Sequence, residues 1–198
     1  MSKALDVYAD HADALITRYD AVTAEQVLAP IADLLPPPPA PCLDVGPGSG
    51  RDAAWLAARG HPVIAAEPIA RFRVAIATRA PTATLVDARL PDLDGVAGSF
   101  DVILANLVWH HLSVEARDIA LARLVDLLGP AGRLFLCLRN GPAIPQRDVW
   151  ALETGAEITR AAAAGLDLLR QTEAPPRNAE EAEAGITATW LAFERRTG

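Results

Sequence analysis

Four short runs of this sequence collect residue types that do chemistry. Asp44-Val45-Gly46-Pro47-Gly48-Ser49-Gly50 sets an acid ahead of three glycines at alternate positions. Glu67 closes the apolar run Val63-Ile64-Ala65-Ala66, and Asp87 follows Val86 at the end of another. Asn106 ends a third run and leads into Leu107-Val108-Trp109-His110-His111. Glycines in such a turn admit positive φ and let a ligand approach the main chain closely. A helix opening directly after them would point free N–H groups and partial positive charge at that ligand. An acid about twenty residues further on, at the next strand's end, suits a pair of ribose hydroxyls. Histidine titrates near neutrality, so His110 or His111 is a candidate general base. Neighbouring side chains diverge, so at most one of the two faces a common site. The other reading is that they orient the loop or cap the next helix.

These residues need elements to hold them, and the apolar periodicity supplies a scheme. Strands are expected over 42–45, 63–66, 83–86, 100–105 and 133–138, alternating with helices over 51–58, 69–79 and 114–128. That order predicts a parallel sheet covered by helices on both faces, and the near-continuous apolar strands fit it. Every polar residue named above then falls at the carboxyl end of its strand, where open α/β sheets bind ligands. Ahead of the sheet, the first 35 residues read as two helices, the second capped by Thr23 with Gln26 three positions on. The proline run from Pro36 to Pro39 stops them. Behind it come a helix over 154–164 and strands over 166–172 and 187–194. The acidic, proline-bearing stretch 173–185 between those strands reads as a solvated loop.

Spacing narrows the ligand. A dinucleotide fingerprint puts its third glycine three positions after the second, where this chain has Arg51. That argues against an NAD-dependent oxidoreductase. Pro47 and Arg51 flank Ser49 where a hydrolase elbow needs glycines.

With alternate glycines after Asp44, an acid at Glu67, Asp87-Ala88 after the third strand, Asn106 after the fourth and Leu128-Gly129-Pro130-Ala131-Gly132-Arg133-Leu134 before the fifth, the chain resembles the class I S-adenosylmethionine-dependent methyltransferases. Alanine at 131 replaces that family's commoner glycine. The resemblance implies a doubly wound, Rossmann-like α/β fold of seven strands, mostly parallel with the last antiparallel. It also implies an N-terminal helical cap, a division into an arm over 1–40 and a methyltransferase domain over 41–198. The cofactor implied is S-adenosylmethionine, leaving as S-adenosylhomocysteine. Asp44 and the backbone of Gly46, Gly48 and Gly50 would hold its methionine portion, Glu67 its ribose, and Asp87 with Ala88 its adenine. Asn106 would border it, and His110 or His111 would face the acceptor. Tyr8, Arg18 and Tyr19 are candidate lid residues. Arg139, Arg147 and Trp150 would lie on a loop overlooking the pocket. No Asn-Pro-Pro-aromatic sequence stands at Asn106, which counts against amino methylation of nucleobases.

Composition sets the outer limits. The chain has 198 residues with a formal net charge of −7, which disfavours a polyanionic partner and leaves a small-molecule acceptor as the expectation. A protein acceptor and a module that binds without turnover stay open. Lys3 is the single lysine, so no internal Schiff base and no Gly-Lys-Ser/Thr phosphate loop can form. Cys42 and Cys137 sit in apolar runs and read as buried free thiols. His11 and His61 lack ligand-like neighbours, so no metal is expected. Trp55 and Trp190 read as core or interface aromatics. The first twenty residues lack the basic region and apolar run of a signal peptide, and no membrane span is expected, so a cytoplasmic location is anticipated.

Overall fold

The computed structural model describes residues 3–176 and 179–196. The outermost residues of the expected arm, and Arg177 and Asn178 of the expected loop, lie outside them. Seven strands form one sheet: β1 (Cys42–Val45), β2 (Val63–Ala66), β3 (Thr84–Val86), β4 (Phe100–Asn106), β5 (Leu128–Asn140), β6 (Leu166–Ala174) and β7 (Thr187–Arg195). Their order across the sheet is β3-β2-β1-β4-β5-β7-β6. β1 pairs parallel with β2 and β4, β2 with β3, and β4 with β5. β7 runs antiparallel to both β5 and β6, as expected of the last strand.

The central strands are apolar on both faces because both faces are covered. Along β4, Val102 and Leu104 point to one side, among Leu56, Ile76 and Phe135. Ile103 and Ala105 point to the other, among Leu121, Leu124 and Leu136. The first side is covered by α3 (Ala24–Leu28), α4 (Arg51–Ala58) and α5 (Ala70–Arg79). The second is covered by α6 (Val114–Leu127), which Ser113 caps by accepting from the Ala116 amide at 3.3 Å, and by α7 (Thr154–Ala163). Truncating a fully buried residue here, such as Ile103→Ala, costs about 2–5 kcal/mol. Both cysteines are buried and unbridged. Burial pushes the Cys42 thiol up to about 12, so it is a packing residue and not a nucleophile.

The N-terminal arm departs from the expected pair of helices. It forms α1 (Lys3–Asp10), α2 (Ala12–Asp20), α3 and a single 3₁₀ turn over Ala32–Leu34. At His11 the ring Nδ1 lies 3.0 Å from the Val7 carbonyl oxygen, which also accepts the His11 amide, and the backbone leaves helical geometry there. The capping box of Thr23 and Gln26 opens α3 as expected. Pro30, with no amide to donate, then prevents that helix from reaching Leu35. α1 and α2 pack on α5 through Leu5, Tyr8, Ala12, Leu15, Ile16 and Tyr19 against Ile69 and Phe72.

The second departure lies in the stretch expected to be a solvated loop. β6 continues to Ala174, and Ala179–Glu183 is a short helix, α8. Alanine and glutamate favour helix intrinsically, which outweighs the acidic, proline-bearing look of the segment. Glu181 is buried and pairs with Arg18 at 3.6 Å. Trp190 is a core residue as expected, whereas Trp55 is half-buried beneath the Arg59 guanidinium, 3.4 Å above its ring. Among the described residues, no helix is long and apolar enough to cross a membrane.

Candidate active site

The parallel strands β2, β1, β4 and β5 bring their carboxyl ends together, and the glycine loop crosses that edge after β1. Gly46, Gly48 and Gly50 have φ of +66°, +56° and +78°. At two of these positions a side chain is excluded by space as well as by φ. A Cβ on Gly46 would stand 2.5 Å from Val108 Cγ1, and one on Gly50 would stand 2.9 Å from Ile76 Cγ1. The Tyr19 ring, carried by α2, lies 3.1 Å from where a Cβ on Gly48 would be, so the arm covers the loop.

Glu67 is held against this loop from the end of β2. Its Oε2 accepts from the Gly48 amide at 3.1 Å and its Oε1 from the Ile69 amide at 2.9 Å. Burial pushes its carboxyl up to about 7, against the opposing pull of those two amides. Each oxygen keeps a second lone pair with which to accept a hydroxyl. Asp44 lies deeper, 1% exposed, and its Oδ2 has no hydrogen-bond partner. Burial, and then the neighbouring charge of Asp52, holds its carboxyl well above the usual carboxylate range.

Asp52 and Arg51 belong to this site although the sequence reading passed over them as ligands. Asp52 is 5% exposed, pairs with the Arg51 Nε at 2.7 Å and accepts from Asn106 Nδ2 at 2.8 Å. The amide oxygen of Asn106 is buried without a partner, as is Ser49 Oγ. The signal available in sequence was the acid two positions after the last glycine, on the first turn of α4, a place where a carboxylate complements the helix N-terminus. Asp87 stands apart from the others. Its side chain is 66% exposed and pairs with Arg73 at 3.0 Å, while Arg73 also donates to the Glu67 carbonyl oxygen at 2.8 Å. Ala88 is buried beside it.

On the β4 side the two histidine rings do not diverge as expected but lie together, their centroids 4.2 Å apart, and they differ in their partners. His110 is 5% exposed, and its carbonyl accepts the Trp150 amide at 2.8 Å. His111 sits against α1, with Nε2 3.1 Å from Tyr8 Oη and Nδ1 3.0 Å from the Asp148 carbonyl oxygen. Burial draws the His111 imidazole below its ordinary value. The turn bearing both is clamped from behind. Trp109 Nε1 donates to Glu157 Oε2 at 2.8 Å, and Arg117 Nη1 donates to Glu157 Oε1 at 2.9 Å. Arg117 Nε also donates to the Leu112 carbonyl oxygen at 3.1 Å. Neither Glu157 nor Arg117 was read as important in the sequence, since each is one charge in an amphipathic helix. Of the expected overlooking loop, Arg139 donates to the Pro142 carbonyl oxygen at 3.0 Å, Arg147 is exposed, and Trp150 is 48% exposed.

Comparison with known proteins bears on the domain and its fold. Residues 43–136 match the model of a methyltransferase domain. An uncharacterized methyltransferase of Alkaliphilus oremlandii is 30% identical over 94 residues, covering 48% of this chain and 43% of that relative. The match thus spans less than half of the relative's own length. The fold is similar to that of the Burkholderia thailandensis 1,6-didemethyltoxoflavin-N1-methyltransferase, solved with 1,6-didemethyltoxoflavin and S-adenosylhomocysteine bound. That likeness has a TM-score of 0.78 at 21% identity and covers 98% of this chain and 88% of that one. A TehB-like S-adenosylmethionine-dependent methyltransferase from Corynebacterium glutamicum has a TM-score of 0.71 at 22% identity, covering 94% and 99%. The matched segment holds β1, the glycine loop, Glu67 and Asn106 on the sheet order described above, and over it the chain is similar to methyltransferase domains, in line with the resemblance that its motifs carry.

Proposed function

We propose that this protein transfers a methyl group from S-adenosylmethionine to a small-molecule acceptor. The observation that carries this reading is the glycine loop enclosed by buried carboxylates, with Glu67 anchored on the loop's own amide at 3.1 Å. The site's chemistry fits the cofactor. The partnerless Asp44 Oδ2 suits a cationic amino group, and the remaining lone pairs of Glu67 suit the ribose hydroxyls. Gly46, Gly48 and Gly50, all at positive φ, curl the loop over the end of β1, where the methionine portion would lie. Ala88 supplies an apolar wall for the adenine, with Asp87 at its rim once displaced from Arg73. Asn106 borders the cofactor from β4. His111, rather than the more enclosed His110, faces the acceptor.

When bound, the cofactor supplies an activated methyl group whose sulfur is a ready leaving group. The chain's own part is to orient the acceptor and remove its proton. Orientation is worth up to about 7–11 kcal/mol in ideal cases, and a positioned base adds about 10²–10⁴-fold. The arm over 1–40 serves as the lid, since Tyr19 covers Gly48, and such cover favours a compact acceptor over a polymer. The net charge of −7 supports the same choice.

The test is turnover on a panel of phenols, amines, thiols and carboxylic acids with labelled S-adenosylmethionine, following methylated product and S-adenosylhomocysteine together. One acceptor class giving both in equal amounts is the expected result. Bound cofactor with no product from any class would favour a module that binds without turnover.

A further inference from the structure

We infer that Tyr8 and His111 form a proton-accepting pair at the acceptor side of the site, and that Asp148 is the residue that positions both. This rests on the methyltransferase reading above and adds a substrate class: an acceptor whose attacking atom carries a proton, as in a phenol, alcohol, amine or thiol.

The geometry fixes the direction of the proton path. His111 Nδ1 lies 3.0 Å from a backbone carbonyl, which can only accept, so Nδ1 carries the hydrogen of the neutral ring. Nε2 is then the lone-pair nitrogen, and the Tyr8 hydroxyl at 3.1 Å donates to it. The rings meet edge to face at 5.3 Å, which leaves the phenol oxygen held at the imidazole rim. The charged and titratable groups about His111 are Tyr8, His110, Asp148 and Arg139.

Asp148 ties the pair together across the chain. Its carbonyl oxygen takes the His111 ring, while its carboxylate Oδ2 accepts the Ala4 amide at 3.2 Å, at the start of the helix that carries Tyr8. Its backbone is left-handed, at φ +48°, which an aspartate or asparagine tolerates far better than a branched residue. Val108, which opens the turn that carries His111, abuts Gly46, so that turn packs on the glycine loop.

The step balances without any further reactant. As the acceptor's lone pair bonds the methyl carbon, the C–S pair leaves with sulfur. The acceptor's proton passes to Tyr8 Oη while the Tyr8 proton passes to His111 Nε2. The imidazolium then returns that proton to solvent. His111 and Asp148 act through Tyr8, as positioning and proton-storing groups.

Two-bond ¹H–¹⁵N spectra of histidine-labelled full-length protein test the pair without any acceptor. The expected result is a neutral His111 bearing its proton on Nδ1, with an Nε2 resonance that moves in Tyr8→Phe. Asp148→Asn should keep the Nδ1–H form, and Asp148→Val should lose it. An Nε2–H tautomer in the wild type, or an Nε2 signal indifferent to Tyr8→Phe, overturns the proposal even if cofactor binds. Once an acceptor turns over, Tyr8→Phe and His111→Gln should each lower kcat by about 10²–10⁴-fold with the KM for S-adenosylmethionine unchanged. The acidic limb of the pH profile should disappear in His111→Gln. Equal kcat in wild type and both variants would contradict it. Absence of S-adenosylhomocysteine binding would instead count against the methyltransferase reading, whatever the spectra give.

Discussion

Arg51 Nη1 donates to the Tyr19 carbonyl oxygen at 3.0 Å, so the first residue of α4 holds the end of the helix whose aromatic ring covers Gly48. The same guanidinium grips Asp52 through Nε and Nη2 at 2.7 and 3.1 Å. The glycine loop and the arm that lies against it thus share one side chain.

Arg51→Ala should therefore weaken S-adenosylhomocysteine binding by about tenfold, the effect of losing about 1.4 kcal/mol of charge-assisted bonding at a partly exposed group. Hydrogen exchange of the α2 and α3 amides should quicken in the same variant. Arg51→Lys cannot reproduce the fork to Asp52 and should recover only part of the affinity. Calorimetry on the three proteins checks this.

Gly46→Ala combines a positive φ with a Cβ placed 2.5 Å from Val108 Cγ1. A loss of about 1–3 kcal/mol in urea unfolding is expected, with cofactor binding abolished. Adding Val108→Ala should return part of the stability, because it removes the clash and leaves only the backbone strain.

Glu67 gives the protein a pH signature. Its folded value of about 7 exceeds the ordinary 4.5, so between those values the folded chain keeps a proton that the unfolded chain has released. Stability of the ligand-free protein should accordingly be greater below that window and fall as pH rises through it. Glu67→Gln should flatten the slope. Cofactor affinity should run the other way, strengthening as pH rises past about 7, because only the ionised carboxylate accepts both hydroxyls at full strength. Thermal unfolding and calorimetry across this range would test both signs.

Glu157 joins Trp109 and Arg117 in the core, at 2.8 and 2.9 Å. Glu157→Ala leaves a buried guanidinium unpaired and should cost about 3–5 kcal/mol, whereas Trp109→Phe forfeits one hydrogen bond and should cost about 1 kcal/mol plus its packing loss. Chemical denaturation of the two variants would separate them.

Most of the sheet was legible because its strands are short apolar runs between glycine- and proline-marked turns, and Asp44, Glu67 and Asn106 stand where those runs end; β5 departs, taking the expected turn at Leu128–Gly132 into the strand itself. The arm was less so, because its two apolar stripes continue across His11 and Pro30 while the backbone does not. α8 was hidden by the acidic, proline-bearing setting of its alanines and glutamates. What the sequence could not carry was pairing over distance. Tyr8 with His111, Asp148 with Ala4 and Glu157 with Trp109 are separated by long stretches of chain and join only when the sheet edge assembles. Asp87 shows the converse: its position after β3 was read correctly, but its side chain turns to Arg73, one turn along α5.

The most direct measurement is calorimetric titration of the purified protein with S-adenosylhomocysteine, beside NAD and a Glu67→Ala variant. The account predicts saturable binding of S-adenosylhomocysteine, none of NAD, and loss of binding in a variant that still unfolds cooperatively. A folded wild type that binds NAD, or neither ligand, would contradict it.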